Sequence, residues 1–287
     1  MSRPVRLPAV AGSFYEAEPG RLSAHVTGLL ALRKGPTRPA GSWRALLLPH
    51  AGHVYSGGIC AAGVGAVAWP AKAILLGPNH HGVGAAAALS PAGSWRTPLG
   101  DVPRDAALAE DLQALCPAIE EDETAHRHEH SLEVLLPFLQ KAAPSLSTVS
   151  VSIGDPDPAL CLAVGDAVAG AVRRAEARGE SVAIVVSSDL NHYLPRAQNR
   201  PKDDRALAAL AGGDPLTFFR RVHETERISM CGVLPATALL RALALLGAAP
   251  AKVVAQGDSG DAFGDVSRVV GYAAVLWEKP PAERPAG

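Results

Sequence analysis

The chain has 287 residues, 48% hydrophobic and 19% charged, enough apolar material for a large core without disulfides or a structural metal. Its 27 basic and 28 acidic side chains leave a formal net charge of −1, which excludes the electrostatic footprint of a DNA-, RNA- or anionic-lipid-binding surface. The four cysteines, at 60, 116, 161 and 231, form no CxxC pair, the usage expected in a reducing compartment. The N-terminus lacks the apolar run of a secretion signal, and no uncharged apolar stretch reaches about 18 residues. A cytoplasmic location without a membrane span is therefore expected.

In chain order, Ala45–Leu48 reads as a short buried strand ending at Pro49, and Ser56–Trp69 as a helix of small residues able to sit close on a sheet. Lys72–Leu76 is a second strand, halted by Gly77 and Pro78, and Ala85–Ser90 a third. Apolar spacing near 3.6 predicts helices at Asp105–Leu115 and His130–Ala143, the second through Leu132, Leu135, Leu136 and Leu139. Ser131 and Thr124 are candidate caps there. Thr148–Ile153 reads as a strand, Pro158–Ala177 as a helix, and Ser181–Val186 as the clearest buried strand, β-branched through its centre. Helices follow at Asp203–Ala211, Asp214–His223 and Pro235–Leu246, and Lys252–Ala255 and Val269–Leu276 close the sheet. This alternation predicts one domain over residues 1–279, a three-layer α/β/α sandwich around a mixed, mostly parallel sheet. The Pro-rich tail, 280–287, is expected to be disordered.

Ligands of open α/β sheets bind beyond the carboxyl ends of strands, so the residues after each strand carry the functional reading. The first is followed by Pro49-His50-Ala51-Gly52-His53, the second by Gly77-Pro78-Asn79-His80-His81, and the 181–186 strand by Ser187-Ser188-Asp189-Leu190-Asn191-His192. Three strands thus each deliver a histidine to one edge, and a fourth leads into Asp258-Ser259. Imidazole is the commonest ligand for transition metals and the commonest acid/base group. Spacing alone does not choose between His80 and His81. The segment TAHRHEHSLE concentrates His126, His128 and His130 but lacks the HExxH arrangement; Glu129 and His130 either line the site or decorate a helix start. Cys231, just before a helix, is expected to have a lowered pKa and to act as ligand or nucleophile. The other three cysteines read as small buried hydrophobes. A Ser187 or Ser188 nucleophile lacks a G-x-S-x-G elbow, and no phosphate-binding loop is present.

The strings PAVAGSFYEAEPGRL, LLPHAGHVYSG, LLGPNHHGVG, HEHSLEVLLPFLQ, VVSSDLNHY, MCGVLP and GDSGD…VVGYAAV occur in the order and spacing of the Memo-like proteins. From about Arg3 to about Trp277 the chain resembles that family, known in bacteria and archaea as one component of the AmmeMemoRadiSam set. The resemblance implies the LigB-like α/β/α fold of class III extradiol dioxygenases, which hold Fe(II) with two His and one Glu and use a further His as acid/base. By motif, His50 and His80 match the two His ligands, Cys231 falls where those enzymes have the Glu, and His192 matches the acid/base, with Asp189 near it. His81, Glu129, His130, Asp258 and Ser259 are then candidates for the surrounding pocket. A thiolate keeps the carboxylate's charge but is softer, so zinc and copper join Fe(II) as expected metals and ring cleavage is not implied. Redox or O₂-linked chemistry on a small molecule is the leading expectation. A peptide- or protein-binding module with a dioxygenase-like pocket is the second, with the AMMECR-type and radical SAM proteins of the set as partners. A hydrolase using Cys231 or a serine with His192 is the third.

Overall fold

The computed structural model describes residues 3–33 and 35–280; the expected tail lies, apart from Pro280, outside them. Among these residues the elements begin with β1 (Val5–Arg6), α1 (Pro19–Ala31), β2 (Trp43–Leu48), α2 (His53–Gly65), β3 (Lys72–Pro78) and β4 (Ala87–Leu89). They continue with β5 (Ser94–Thr97), β6 (Gly100–Pro103), α3 (Ala106–Leu115), β7 (Ile119–Glu121), α4 (Thr124–Arg127), α5 (Leu136–Ala142), β8 (Ser147–Ile153) and α6 (Pro158–Ala177). The remainder is β9 (Val182–Ser187), β10 (His192–Leu194), α7 (Arg196–Gly212), α8 (Pro215–Phe219), α9 (Val233–Leu246), β11 (Lys252–Asp258), α10 (Gly260–Phe263) and β12 (Val269–Glu278). No helix among the described residues is long and apolar enough to cross a membrane.

The large sheet runs β10-β12-β2-β9-β3-β8-β4-β7, with β11 added to β12. Its centre, β2, β9, β3 and β8, is parallel, and the flanking β12 and β4 are antiparallel to it. A parallel centre must be covered on both faces, and the period-2 pleat of its strands supplies two apolar faces. Ala45, Leu47, Ile74, Leu76, Ile184 and Val186 pack into one core with α3, α6 and α9. Their neighbours Leu46, Leu48, Ala73, Leu75, Ala183 and Val185 pack into a second core under α1, α2 and α5. The result is the α/β sandwich that the alternation predicts. α2 lies tight against its face because Gly63 has no side chain: a Cβ there would come 2.5 Å from Leu48 Cδ2.

Two differences from the sequence expectation bear on the site. The helix expected over His130–Ala143 is a 3₁₀ turn, Glu133–Leu135, running into α5. The backbone before it is engaged elsewhere: Ser131 N–H donates to Glu129 and the Ser131 carbonyl accepts from Ser187. Neither expected cap is used, since the Ser131 hydroxyl turns to the Pro78 carbonyl and Thr124 opens α4 without a side-chain cap. The N-terminal segment also forms unanticipated structure, β1 in a small sheet with β5 and β6, and α1. Arg6 of β1 is buried, ion-paired with Glu133 at 2.5 Å, and its guanidinium lies 4.2 Å from the Trp95 ring centroid. It also donates to the carbonyls of His126 and Glu129 at 3.0 and 2.6 Å, which fixes the backbone carrying Glu129.

Candidate metal centre

His50 follows β2, His80 follows β3, His192 opens β10 shortly after β9, and Cys231 stands two residues before α9. β9 lies between β2 and β3, with Leu48 level with Ser187 and Leu76 level with Val186. The chain therefore leaves all three strands at one edge. One ligand atom each from His50, His80 and Cys231 lies within 4.8 Å of the others. Cys231 Sγ is 3.2 Å from His50 Nε2, across 181 positions of chain.

The partners of the imidazoles fix their protons. Ser187 Oγ gives its single proton to the Ser131 carbonyl at 2.6 Å. It must therefore accept from His50 Nδ1, 2.7 Å away, which leaves a lone pair on His50 Nε2. His80 Nδ1 lies 2.9 Å from Glu129 Oε1, an acceptor only, so its Nε2 also carries a lone pair. Glu129 is 1% exposed and takes two further N–H groups, from His80 at 2.7 Å and Ser131 at 2.9 Å. Burial alone would raise its pKa; the bonds and charge interaction with His80 overcome that and hold it below the usual carboxylate range. A carboxylate behind a histidine is the arrangement that orients metal-binding imidazoles.

His192 Nδ1 donates to the Ser229 carbonyl at 2.5 Å, and its backbone N–H donates to Ser229 Oγ at 2.8 Å. Its Nε2 is left as the acceptor. Burial pushes His192 below its ordinary range, so the ring is neutral at pH 7 and suited to take a proton. Asp189 is a clamp for the His50 loop: its Oδ1 accepts the N–H of His50 at 2.8 Å and of Ala51 at 3.3 Å. Burial lifts its carboxyl to about 6.

The thiol corrects the sequence expectation. Burial, with Asp189 adding to it, pushes Cys231 up rather than down. The Gly232 N–H is engaged by Ser188 Oγ at 2.9 Å, and the N–H reaching the sulfur is that of Asp189, at 3.1 Å. With a lone pair on His50 Nε2, the protonated thiol is the donor in that pair. The Cys231–Gly232 backbone presses on the end of β9, where a Cβ on Gly232 would come 2.3 Å from that of Ser188.

Above these groups opens a cavity of about 730 Å³. His130 lines it, its ring 4.6 Å from that of His80 and 4.7 Å from that of Phe14, and burial drives it down to about 4. Ser259 lines it too, its Oγ accepting from Val270 N–H at 3.0 Å. Asp258 turns away to Arg196, at 2.5 and 2.6 Å. His81 also lies outside, its Nε2 3.0 Å from the His128 carbonyl. Sequence reasoning missed Phe14, Tyr55, Tyr193, Phe263, Arg268 and Tyr272 in the lining. Tyr55 and Tyr193 stand beside motif histidines and were findable on that ground; Arg268 carries no local signal. Two further donor groups meet the same distance criterion, His80 with Glu129 and His130, and Asp189 with His192 and Cys231.

Fold and site together define an α/β sandwich protein with a His/His/Cys constellation at the carboxyl edge of its parallel strands. The chain belongs to the Memo-like family, whose sequence profile, described as Memo-like protein, matches residues 6–276. It is similar to a MEMO1 family protein of Methanopyrus kandleri, 35% identical over 289 residues covering 96% of this chain and 99% of the relative. A MEMO1 family protein of Methanothermobacter thermautotrophicus is 36% identical over 277 residues, 94% of this chain and 99% of the relative. One from Methanocaldococcus jannaschii is 36% identical over 293 residues, with 96% and 99% covered.

Proposed function

We propose that this protein is a mononuclear non-haem metal protein acting in redox chemistry on a small molecule, with His50, His80 and Cys231 as the ligands. Iron(II) is the proposed ion, with copper and zinc as the alternatives that the soft sulfur donor favours. The observation carrying the reading is the preset protonation of the two imidazoles, whose Nδ1 atoms are tied to buried acceptors, leaving lone pairs on both Nε2 atoms, with His50 Nε2 3.2 Å from the Cys231 sulfur and a donor atom of His80 within 4.8 Å of both. The donor set fits such an ion: two neutral nitrogens and one sulfur that becomes anionic on losing its proton. Bound there, the ion would supply Lewis acidity and, for iron or copper, electron transfer. Ser187 and Glu129 orient the histidines, Asp189 fixes the His50 loop, and the cavity walls limit water. His192 Nε2 is the proton acceptor facing the substrate space.

The test is metal analysis of protein purified without oxygen, wild type against Cys231→Ser, combined with a cobalt(II) titration followed by absorbance. The wild type should hold close to one equivalent and show a sulfur-to-metal charge-transfer band; the variant should lose the band and most of the metal. Equal metal content in both proteins removes Cys231 from the site.

A further inference from the structure

The wall of the cavity carries one guanidinium without a carboxylate or hydrogen-bond partner among the described residues. Arg268, in the turn between α10 and β12, lines the pocket and, among the described residues, makes neither an ion pair nor a side-chain hydrogen bond. Its neighbour Arg196 is, by contrast, held by Asp258 and Asp261. The Arg268 head makes a cation–π approach, 5.5 Å to the centroid of the Tyr193 ring.

Tyr193 is itself held in an unusual conformation. Its φ of 63° lies in the left-handed region, which bulky side chains rarely adopt. The β10–β12 register breaks between His192 and Leu194, and such a bulge re-aims the side chain at its centre. Here it stands the ring, 63% exposed, at the cavity wall between Arg268 and the imidazole of His192, whose centroid is 5.5 Å away. Across the mouth, Tyr55 and Phe263 meet edge to face at 5.5 Å and are likewise exposed.

The charge balance of the lining is simple. Tyrosines apart, the other ionisable groups of the lining are the imidazoles of His50, His80, His130 and His192 and the carboxyls of Asp189 and Asp265, and Asp189 is turned to the backbone N–H groups of His50 and Ala51. Asp265 is the rim carboxylate, and its Oδ1 is turned to its own loop, accepting from Ser267 N and Oγ at 2.9 and 2.7 Å. Arg268 is thus the one permanent positive charge among the lining residues, and it offers a planar fork of donors matched to a carboxylate.

We propose that the pocket selects a small molecule bearing a carboxylate, which Arg268 binds at the rim while the exposed aromatic rings cover the molecule's apolar body. One guanidinium in a lining that also carries Asp265 fits a single negative charge better than a doubly charged phosphate. The inference rests on the cavity being a small-molecule site, as proposed above, and not on which metal is held below it.

The probes are phenylacetate and its neutral isostere phenylacetamide, titrated at low salt by ligand-observed NMR against the anaerobically metal-loaded protein and against Cys231→Ser. Phenylacetate should bind about tenfold tighter than the amide to both proteins, the scale of a charge-assisted hydrogen-bond pair. Arg268→Gln should erase that ratio, Arg268→Lys should keep part of it, and added salt should shrink it. A ratio that survives Arg268→Gln overturns the inference. So does a preference seen in the loaded wild type and lost in Cys231→Ser, which would put the carboxylate on the metal. Equal binding of the two probes sinks the role of Arg268 and leaves the pocket reading standing. Binding of neither probe counts against the pocket reading itself.

Discussion

Glu129→Gln removes one charge from the metal centre and turns one buried acceptor into a donor while keeping the side chain's shape. In the wild type the two carboxylate oxygens face three N–H groups, those of the His80 backbone, His80 Nδ1 and Ser131. A glutamine can serve the donors on one side only. If its oxygen stays on Nδ1 and Ser131, its amino group meets the His80 N–H and two donors oppose each other. If it flips, His80 must move its proton to Nε2, and the lone pair available to a metal on that nitrogen is lost. Hydrogen bonds to a buried charge are worth about 1.5–3 kcal/mol each, so the metal-free variant should lose at least one such increment in denaturant unfolding. Removing the outer partner of a ligating histidine weakens metal binding about 10- to 100-fold. The assay is anaerobic competition for iron(II) against a chelator, with Glu129→Ala as the more severe control. An affinity for Glu129→Gln within a factor of about two of wild type, below the range for such partners, would show that Glu129 does not set the His80 tautomer.

Gly232→Ala should cost stability and metal together, since its Cβ would stand 2.3 Å from Ser188 Cβ and 2.6 Å from the Ser187 carbonyl. Overpacking of this kind costs about 1–3 kcal/mol, and thermal unfolding with metal analysis would detect it; unchanged values in both would refute the close approach. His192→Ala should keep its full metal content, because the ring is read as proton acceptor; a metal-free variant would make His192 a ligand. Acid should destabilise the fold in a defined window. His126 donates from Nε2 to the Ala88 carbonyl at 2.9 Å, and burial lowers it from 6.5 to about 4. The unfolded chain takes up that proton first as pH falls, so its contribution is complete above about pH 6.5 and is lost down to about 4. For one such histidine the loss is roughly 3 kcal/mol. Unfolding free energies measured from pH 7 to pH 4 should fall less in His126→Gln, and parallel curves for the two proteins would refute this assignment.

Much of this architecture was legible from the chain alone because it depends on local chemistry. The β-branched run at 182–186 and the 3.6-residue apolar spacing of 105–115 report the conformation of the residues that carry them, whereas β3 runs on through Gly77 and Pro78, paired with Ser152 and Ile153, where the Gly-Pro pair was expected to halt it. α1 escaped because its buried stripe is only Leu22 and Val26, too narrow to stand out in a polar segment. β1, β5 and β6 are two to four residues long and carry few buried residues, unlike the equally short β4, whose wholly apolar run marked it in the sequence.

The strand order of the sites, histidines after three strand ends and a cysteine before a helix, is written in the linear sequence, and with it the expectation that they gather at one edge. Which nitrogen of each imidazole is available is not. Glu129 distinguishes His80 from His81 from 49 positions away, Ser187 sets His50 from 137 away, and the thiol's pKa is raised by burial that only packing creates. Residue type and spacing fix which groups are present and near which strand end. Protonation, burial and the direction of a lone pair depend on neighbours brought in by the fold, and no local pattern encodes them.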